Sequence, residues 1–229
     1  MDALQVRQAW AKFCALDKGH ALISQLSDAS QQKQLRRDET LINQGDAVDG
    51  VYLVVAGQLR AVRYTANGHE IWLSDLFGGD LVGEIAVLAD TKRTSALLAS
   101  RPTSLLSIAT HTFVAAILDH GVFGLALAKQ FSKRLEATSG QLADLMGMPV
   151  DVRLHAELVR AGQQDSSDDE MFVITSVPKV SALGQRIHAS REATSRALSS
   201  LEKRGLVERT SDHWAVICPR DMLSDLALT

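Results

Sequence analysis

The central part of the chain, residues 41–108, consists of short runs of β-forming residues separated by glycine and Asn/Asp turns. One of these turns is Asn67-Gly68, and Asn-Gly between two such runs is the strongest hairpin signal in a sequence. The segment therefore predicts an antiparallel double-sheet roll of the jelly-roll (double-stranded β-helix) kind. Residues 1–36 are predicted to be helical and to cap the roll. The predicted strands cover residues 40–42, 51–55, 58–64, 70–73, 95–99 and 104–108.

After the roll the hydrophobic period becomes helical. In residues 128–145, the positions Ala128, Phe131, Leu135, Thr138, Leu142 and Leu145 follow one another at spacings of three and four. This is the a/d pattern of a coiled coil, so we expect a long dimerisation helix in a parallel homodimer. Gly147, Met148 and Pro149 end the pattern, because proline disfavours helix at the residue before it and can begin the next helix. We place an interdomain hinge there.

Residues 179–209 carry seven basic and three acidic side chains, a local charge of +4 in a chain whose net charge is −3. Two short helical patterns meet at His188-Ala189, with Ser190 as the N-cap of the second helix and Gly205 after its end. Two β-type runs follow. This order predicts a winged helix-turn-helix with a phosphate-backbone partner. A winged helix that contacts proteins through a solvated basic face is the alternative.

Arg191, Glu192 and Arg196 lie in the first half of the second helix, the half that enters the major groove in such motifs. Arginine matches the two acceptors of guanine, and glutamate accepts from cytosine N4. With Ser190 they are the predicted DNA-binding residues. The expected domains are residues 1–110 (capped roll), 111–147 (dimerisation helix) and 148–229 (winged helix-turn-helix).

Residues 83–96, GEIAVLADTKRTSA, contain the side chains that a small anionic ligand with a hydroxyl group would need. Arg93 can offer a planar fork of donors to a phosphate, and Thr94 can add a hydroxyl or a backbone N–H. Glu84 can accept a hydroxyl proton, and Gly83 lets the backbone approach closely. Taken one residue at a time, the segment is also explained by a surface turn with one exposed arginine.

The combination G-E-I-A-V-L followed by R-T-S-A resembles the phosphate-binding cassette of cyclic-nucleotide-binding domains. Within these it is similar to the family of the cyclic-AMP receptor and the fumarate and nitrate reduction regulator, the Crp/Fnr family. Lys92 stands where the family usually has proline. A sugar-binding or storage jelly roll would share the turns but not this segment. The resemblance implies that cyclic AMP is the ligand and that Gly83, Glu84, Ile85, Arg93, Thr94 and Ser95 bind it.

Two further segments extend the resemblance. Residues 133–139, KRLEATS, look like the family's adenine-contacting turn, which implies that Arg134, Thr138 and Ser139 meet the ligand, Ser139 from the partner subunit. By pattern alone, Thr138 is explained as a seam residue that sets the register of two helices. Residues 190–196, SREATSR, resemble the family's recognition turn and imply TGTGA-like half-sites in an inverted repeat.

Three further departures from the family lie at the hinge and in the helix-turn-helix. Pro149 replaces an aspartate at the hinge, and Val180 and Ala193 replace contacts to the DNA backbone.

Composition excludes several other classes. The two cysteines, Cys14 and Cys218, have no metal-ligand spacing, and the seven histidines form no pair that would suit a metal. An enzyme built on the roll would need a catalytic cluster, which the sequence lacks. The first residues do not have the order of a signal peptide, and the apolar runs are too short to cross a membrane. We therefore expect a cytoplasmic protein without a metal, not an enzyme.

These features together predict an α+β chain: an N-terminal cyclic-nucleotide-binding roll, a long dimerisation helix and a C-terminal winged helix-turn-helix. The predicted function is a cyclic-AMP-dependent, DNA-binding transcription regulator that acts as a homodimer on a palindromic operator, with RNA polymerase as a further partner. The alternative keeps the fold but responds to another cyclic nucleotide, or binds DNA without an effector.

Overall fold

The computed structural model describes residues 1–164, 170–175 and 177–218, and the chain forms two compact units, Met1–Glu136 and Ala137–Thr229. The first unit contains α1 (Ala3–Cys14), α2 (Ala21–Asp28), β1 (Gln31–Leu35), β2 (Thr40–Ile42), β3 (Gly50–Ala56), β4 (Gln58–Tyr64), β5 (Glu70–Phe77), β6 (Leu81–Val82), α3 (Glu84–Leu88), β7 (Ala96–Ala99), β8 (Thr103–Ala109) and α4 (Thr110–Asp119). Helix α5 (Gly121–Gly147) begins in this unit and ends in the second.

The strands of the first unit form two antiparallel sheets, in the orders β1-β8-β3-β6 and β2-β7-β4-β5. Strand β3 is buried on both faces, as its unbroken apolar run indicates. Val51 and Leu53 pack with the helices, whereas Tyr52 and Val54 belong to the core formed by residues of both sheets. The predicted double-sheet roll is confirmed.

The N-terminal region differs from its prediction. Helices α1 and α2 are present, and Trp10 anchors them in the core with its indole N–H bonded to Ser30 Oγ at 2.8 Å. Residues Gln31–Leu35, however, form strand β1 rather than helix. Their polar sequence has no strong β propensity, and the strand exists because it pairs with β8 from Gln31↔Ser107 to Leu35↔Thr103.

Helices α4 and α5 follow the roll. Among the described residues no single helix is long and apolar enough to span a membrane; α4 and α5 meet the length and composition criteria only as a pair, and they are bent by 107°. Leu135, Leu142 and Leu145, all positions of the predicted seam, are exposed on α5, with Leu135 at 69%.

The second unit continues with α6 (Val150–Ala161), β9 (Gln163–Gln164), β10 (Met171–Ile174), α7 (Val180–Arg186), α8 (Arg191–Lys203), β11 (Val207–Arg209) and β12 (Trp214–Ile217). Its strands pair in the order β11-β12-β10-β9. The core lies between this sheet and the helices and includes Leu154, Leu183, Leu198 and Trp214. The acidic part of the loop after α6, residues 165–169, lies outside the described residues.

Helices α5 and α6 are interrupted at the residues where the sequence predicts a hinge, and the hinge itself stays a prediction. Helix α5 ends at Gly147, and Pro149 is the N-cap of α6 rather than its first helical residue. Arg153 of α6 donates to the Met148 carbonyl at 2.7 Å and to the Ile187 carbonyl, at the end of α7, at 3.2 Å. A single guanidinium thus bonds to the break and to the end of α7.

Candidate ligand site and candidate nucleic-acid interface

The turn between β2 and β3 fixes the backbone of Arg93. The Arg93 N–H donates to the Asp46 carbonyl at 3.0 Å, and the Gly45 N–H donates to the Arg93 carbonyl at 2.8 Å. Gly45 has φ +89°, which favours glycine at this turn. The sequence Asn43-Gln44-Gly45-Asp46, one of the turns in the predicted roll, therefore also holds the loop that carries the candidate ligand-binding arginine.

Gly83 makes room for the side chain of Arg93. It lies in the left-handed region, with φ +82°, directly before α3. A Cβ atom built on Gly83 would be 2.7 Å from Arg93 Nη1, closer than any ordinary contact. A side chain at position 83 would thus both strain the backbone and displace the guanidinium.

The guanidinium of Arg93 is buried, with the residue only 4% exposed, and it has protein partners. Nη1 donates to the Gly83 carbonyl at 2.7 Å, and Nη2 donates to Asp49 Oδ1 at 2.6 Å and to the Gly50 carbonyl at 2.8 Å. Three of the five guanidinium N–H groups are thus used by these three oxygens. Asp49 thus supplies the counter-charge to Arg93, the residue that the sequence predicts to bind a phosphate.

Asp49 is the solvent-exposed member of this pair, since its side chain is 75% exposed. Partial burial alone would raise the pKa of Asp49, but hydrogen bonds from Arg93 and from the Tyr52 hydroxyl outweigh it and hold that pKa below its ordinary value. Asp49 is therefore ionised at neutral pH and accessible to solvent, while its arginine partner is enclosed.

The second cassette residue, Glu84, is 1% exposed and is also paired. Arg134 of α5 donates from Nη1 to Glu84 Oε1 at 2.6 Å and from Nη2 to the Leu81 carbonyl at 2.9 Å. Asp80 Oδ1 lies 3.5 Å from the same Nη2. Burial raises the pKa of Glu84, and the charge of Arg134 counters that shift only in part.

Two residues of the segment 83–96 thus form arginine–carboxylate pairs with residues outside it, Arg93 with Asp49 and Glu84 with Arg134. The two predicted ligand residues Glu84 and Arg134 contact each other directly. An anionic ligand at Arg93 would compete with Asp49 for Nη2, and a ligand hydroxyl at Glu84 would compete with Arg134.

The remaining predicted ligand residues are more exposed. Ile85 is about half exposed on α3, Thr94 is exposed and Ser95 is half-buried. Thr138 and Ser139 lie four and five residues after Arg134 on α5 and belong to the second unit. Their contact with a ligand stays a prediction.

In the second unit, α7 and α8 meet in a tight turn. His188 has φ +51°, and a Cβ built on Gly184 would be 2.9 Å from both the Ala189 carbonyl and Thr194 Oγ1. Ser190 caps α8, as predicted, by accepting from the Ala193 N–H at 3.1 Å. The close crossing depends on the missing side chain at position 184.

Helix α8 has a buried and an exposed face. Thr194, Ala197, Leu198 and Leu201 are buried, whereas the four predicted DNA-binding residues are exposed: Ser190, Arg191, Glu192 and Arg196. A hydrogen bond from the backbone N–H of Glu192 itself, and then one from the Ser190 hydroxyl, lower the pKa of the Glu192 carboxyl. This face therefore presents charged groups of both signs at neutral pH, which suits readout of base edges.

Asp49, Asp80 and Arg153 were missed by sequence reasoning. Asp49 and Arg93 are 44 positions apart, and Asp80 and Arg134 are 54 positions apart. An acidic residue just before a strand was the only local signal for Asp49.

Known proteins resemble this chain in sequence. The family model of the cyclic nucleotide-binding domain matches residues 32–120. A CRP-like cAMP-activated global transcriptional regulator of Mycobacterium tuberculosis is 24% identical over 186 residues, which cover 81% of this chain and 83% of that protein. Lysophospholipase NTE1 of Phaeosphaeria nodorum is 31% identical over 116 residues, but this covers 51% of the chain and only 8% of that protein. Of these two proteins, the one aligned over most of the chain is a transcription regulator.

Solved structures share the fold. The c-di-GMP responsive global regulator CLP of Xanthomonas campestris has a TM-score of 0.74 at 19% identity, covering 86% of this chain and 98% of that one. A putative Crp/Fnr-family transcriptional regulator of Eubacterium rectale has a TM-score of 0.73 at 18% identity, covering 97% and 100%. Residues 32–120 thus match the cyclic nucleotide-binding domain, and the chain is similar in sequence to CRP-like transcription regulators and in fold to regulators of the Crp/Fnr family.

Proposed function

We propose that this chain is a cyclic-AMP-responsive transcription regulator that binds an inverted-repeat operator as a homodimer. The observation that carries the proposal is the buried guanidinium of Arg93 against the carbonyl of Gly83, at a backbone position with a positive φ that favours glycine. Such an arginine suits a compact anion like a cyclic phosphodiester. The mycobacterial relative, which is named as cAMP-activated, supports the choice of nucleotide.

In the proposed complex the phosphodiester accepts from Arg93, and Thr94 and Ser95 add hydroxyl or backbone donors. Glu84 accepts the ribose 2′-hydroxyl, and Gly83 and Ile85 approach the sugar. Arg134, Thr138 and Ser139 remain the proposed adenine contacts.

Binding in this mode exchanges partners at both ion pairs. The phosphate takes the place of Asp49 as the counter-charge of Arg93, and the ribose hydroxyl shares Glu84 with Arg134. Because Arg134 is on α5, a change at Glu84 would reach the dimerisation helix directly. Binding could thereby favour one of two arrangements of the DNA-binding units, as a two-state switch requires.

The homodimer rests on the exposed apolar positions of α5. Leu135, Leu142 and Leu145 are exposed in the single chain and fall on the a/d seam. A second copy of the helix would cover them.

The proposed DNA contacts are Ser190, Arg191, Glu192 and Arg196 on the exposed face of α8, directed at TGTGA-like half-sites. The local excess of basic residues would bind the phosphate backbone. The proposed hinge at Gly147, Met148 and Pro149 lies between these contacts and the ligand site along the chain. The proposed domains are residues 1–110, 111–147 and 148–229. A chain that reads operator DNA and contacts RNA polymerase would act in the cytoplasm.

Titration of a TGTGA-type palindrome with and without cyclic AMP tests the proposal. We expect cyclic AMP to increase operator affinity at fixed salt, and the variant Arg93→Leu to lose that response while staying folded. Arg37→Leu is the matched control, because Arg37 is mostly exposed and its ion pair with Asp38 is long, at 3.8 Å. Retention of cyclic-AMP binding by Arg93→Leu would reject the phosphate assignment.

A second candidate keeps the fold and changes the effector. It is favoured by Asp49, which already neutralises Arg93, and by CLP, which is described as responsive to c-di-GMP. It predicts no heat of binding with cyclic AMP, unchanged operator affinity and a response to c-di-GMP or another nucleotide in the same calorimetric assay.

A further inference from the structure

A cavity of about 340 Å³ lies between α1 and the roll, away from the cassette. One wall is formed by α1, and the other by the end of β3 and the turn between β5 and β6. No residue of the segment 83–96 lines it, although every residue of that segment is described. The volume is within the range of small-molecule sites, at their lower end.

The helix wall is polar and carries a positive charge. Gln5, Gln8 and Lys12 are spaced by three and four positions, so they lie on one face of α1. Gln5 is partly used in the cap of α1 with Asp2. In the described part of the chain, the side chains of Gln8 and Lys12 have no hydrogen-bond or ion-pair partner. Among the described residues that line the cavity, none is acidic.

The opposite wall is apolar and is kept open by glycine. Val55 and Ala56 lie where the pairing of β3 with β8 shifts register, an irregularity typical of the rims of binding sites. Gly78 approaches the backbone so closely that a Cβ would be 2.8 Å from the Val55 carbonyl. Gly79 has φ +105°, a conformation that a side chain would strain. No side chain from this turn fills the cavity.

We propose that this cavity is a second ligand site, separate from the cassette, which binds a small hydrophobic carboxylate. The carboxylate group would pair with Lys12 and accept from the Gln8 amide, and the apolar part would lie against Val55, Ala56 and the glycine turn. Lys12, with no acidic residue among the described lining residues, favours a monoanion over a neutral or cationic ligand of the same shape.

The test uses the full chain and three indoles of similar shape: indole-3-acetate, the neutral indole-3-ethanol and the cationic tryptamine. Binding is measured by calorimetry and saturation-transfer NMR. We expect the carboxylate to bind about fivefold more tightly than the neutral compound. The variant Lys12→Gln should remove this advantage, a loss of about fivefold that corresponds to about 1 kcal/mol for an exposed charge pair. Lys18→Gln, which changes the same charge outside the cavity, should bind like the wild type.

A second variant distinguishes this cavity from adventitious binding elsewhere. Gln8→Trp changes an exposed position of α1 and fills the cavity without altering the core, so it should abolish binding of all three compounds while circular dichroism stays unchanged. Equal affinity for the three indoles, or undiminished binding by Gln8→Trp, would overturn the proposal. Neither arm involves cyclic AMP or DNA, so failure here is separate from failure of the proposed function.

Discussion

Asp49 accepts a hydrogen bond from Arg93, the residue proposed to bind the phosphate. We therefore expect Asp49→Asn to increase the affinity for cyclic AMP. The substitution removes the negative charge that competes with the phosphate for Arg93 Nη2. Asp49 Oδ1 lies 2.6 Å from that nitrogen. At an effective dielectric of about 20 two charges in contact would interact by about 4 kcal/mol, but the Asp49 side chain is 75% exposed and water screens it. About 1 kcal/mol is therefore realistic, which corresponds to about fivefold tighter binding.

The same substitution should lower the stability of the ligand-free protein. Arg93 keeps its bonds to the Gly83 and Gly50 carbonyls but loses its counter-charge, so we expect the free energy of unfolding to fall by about 1 kcal/mol. Because the pKa of Asp49 is lowered, its stabilising effect is present above the ordinary value of 3.8 and is lost as pH falls through the folded-state pKa. The difference in the free energy of unfolding between the wild type and Asp49→Asn should therefore become smaller at acidic pH.

Calorimetric titration with cyclic AMP, with urea denaturation at several pH values, measures both effects. Asp38→Asn is the control, because the Asp38 side chain is 74% exposed. The backbone of Asp38 is in the left-handed region, which asparagine tolerates well. Weaker binding by Asp49→Asn would show that Asp49 orients Arg93 for the phosphate rather than competing with it, and would refute this reasoning.

Four further substitutions test other parts of the proposal. Gly83→Ala should cost about 1–2 kcal/mol in a thermal melt, because φ is +82°, and should abolish cyclic-AMP binding in calorimetry, because the new Cβ displaces Arg93. Because the pKa of Glu84 is raised above its ordinary value of 4.5, we expect the wild type to lose stability as pH rises above 4.5. Glu84→Gln should remove this loss, which urea denaturation at several pH values measures. Leu142→Asp should convert the proposed dimer to a monomer in light scattering, because it places a charge in the proposed seam. Glu192→Ala should relax the preference at one base pair of each half-site by about 1–3 kcal/mol in competition binding.

Each of these has a contrary outcome. Unchanged ligand binding by Gly83→Ala would separate position 83 from the ligand, and a pH profile like that of the wild type in Glu84→Gln would assign the titration elsewhere. A dimer that survives Leu142→Asp would reject the seam. A loss by Glu192→Ala that is uniform over all DNA sequences would indicate a backbone contact instead.

Elements with local signals were predicted well from the sequence. Strand β4 was predicted at residues 58–64 and is found at Gln58–Tyr64, because alternating side chains and the flanking turns determine it locally. Ser190 caps α8 as predicted, since a cap depends on a hydroxyl and on residues within one turn. The break at Gly147 to Pro149 was found for the same reason: proline acts on its immediate neighbours.

Elements that depend on distant partners were missed or misjudged. Gln31–Leu35 is polar and reads as part of a helical cap, and it becomes a strand only by pairing with β8, more than sixty residues later. The short helix α3 and strand β6 were likewise not predicted, since two to five residues carry too little periodicity.

The sequence by itself determined the turns, the caps and which charged side chains are available near the ligand segment. Only the tertiary structure decided how those charges pair. Arg93 meets Asp49 and Arg134 meets Glu84, because the roll and α5 bring together residues 44 and 50 positions apart. Local chemistry specifies a turn or a cap within a few residues, whereas an ion pair between distant segments depends on the backbone path of the whole first unit.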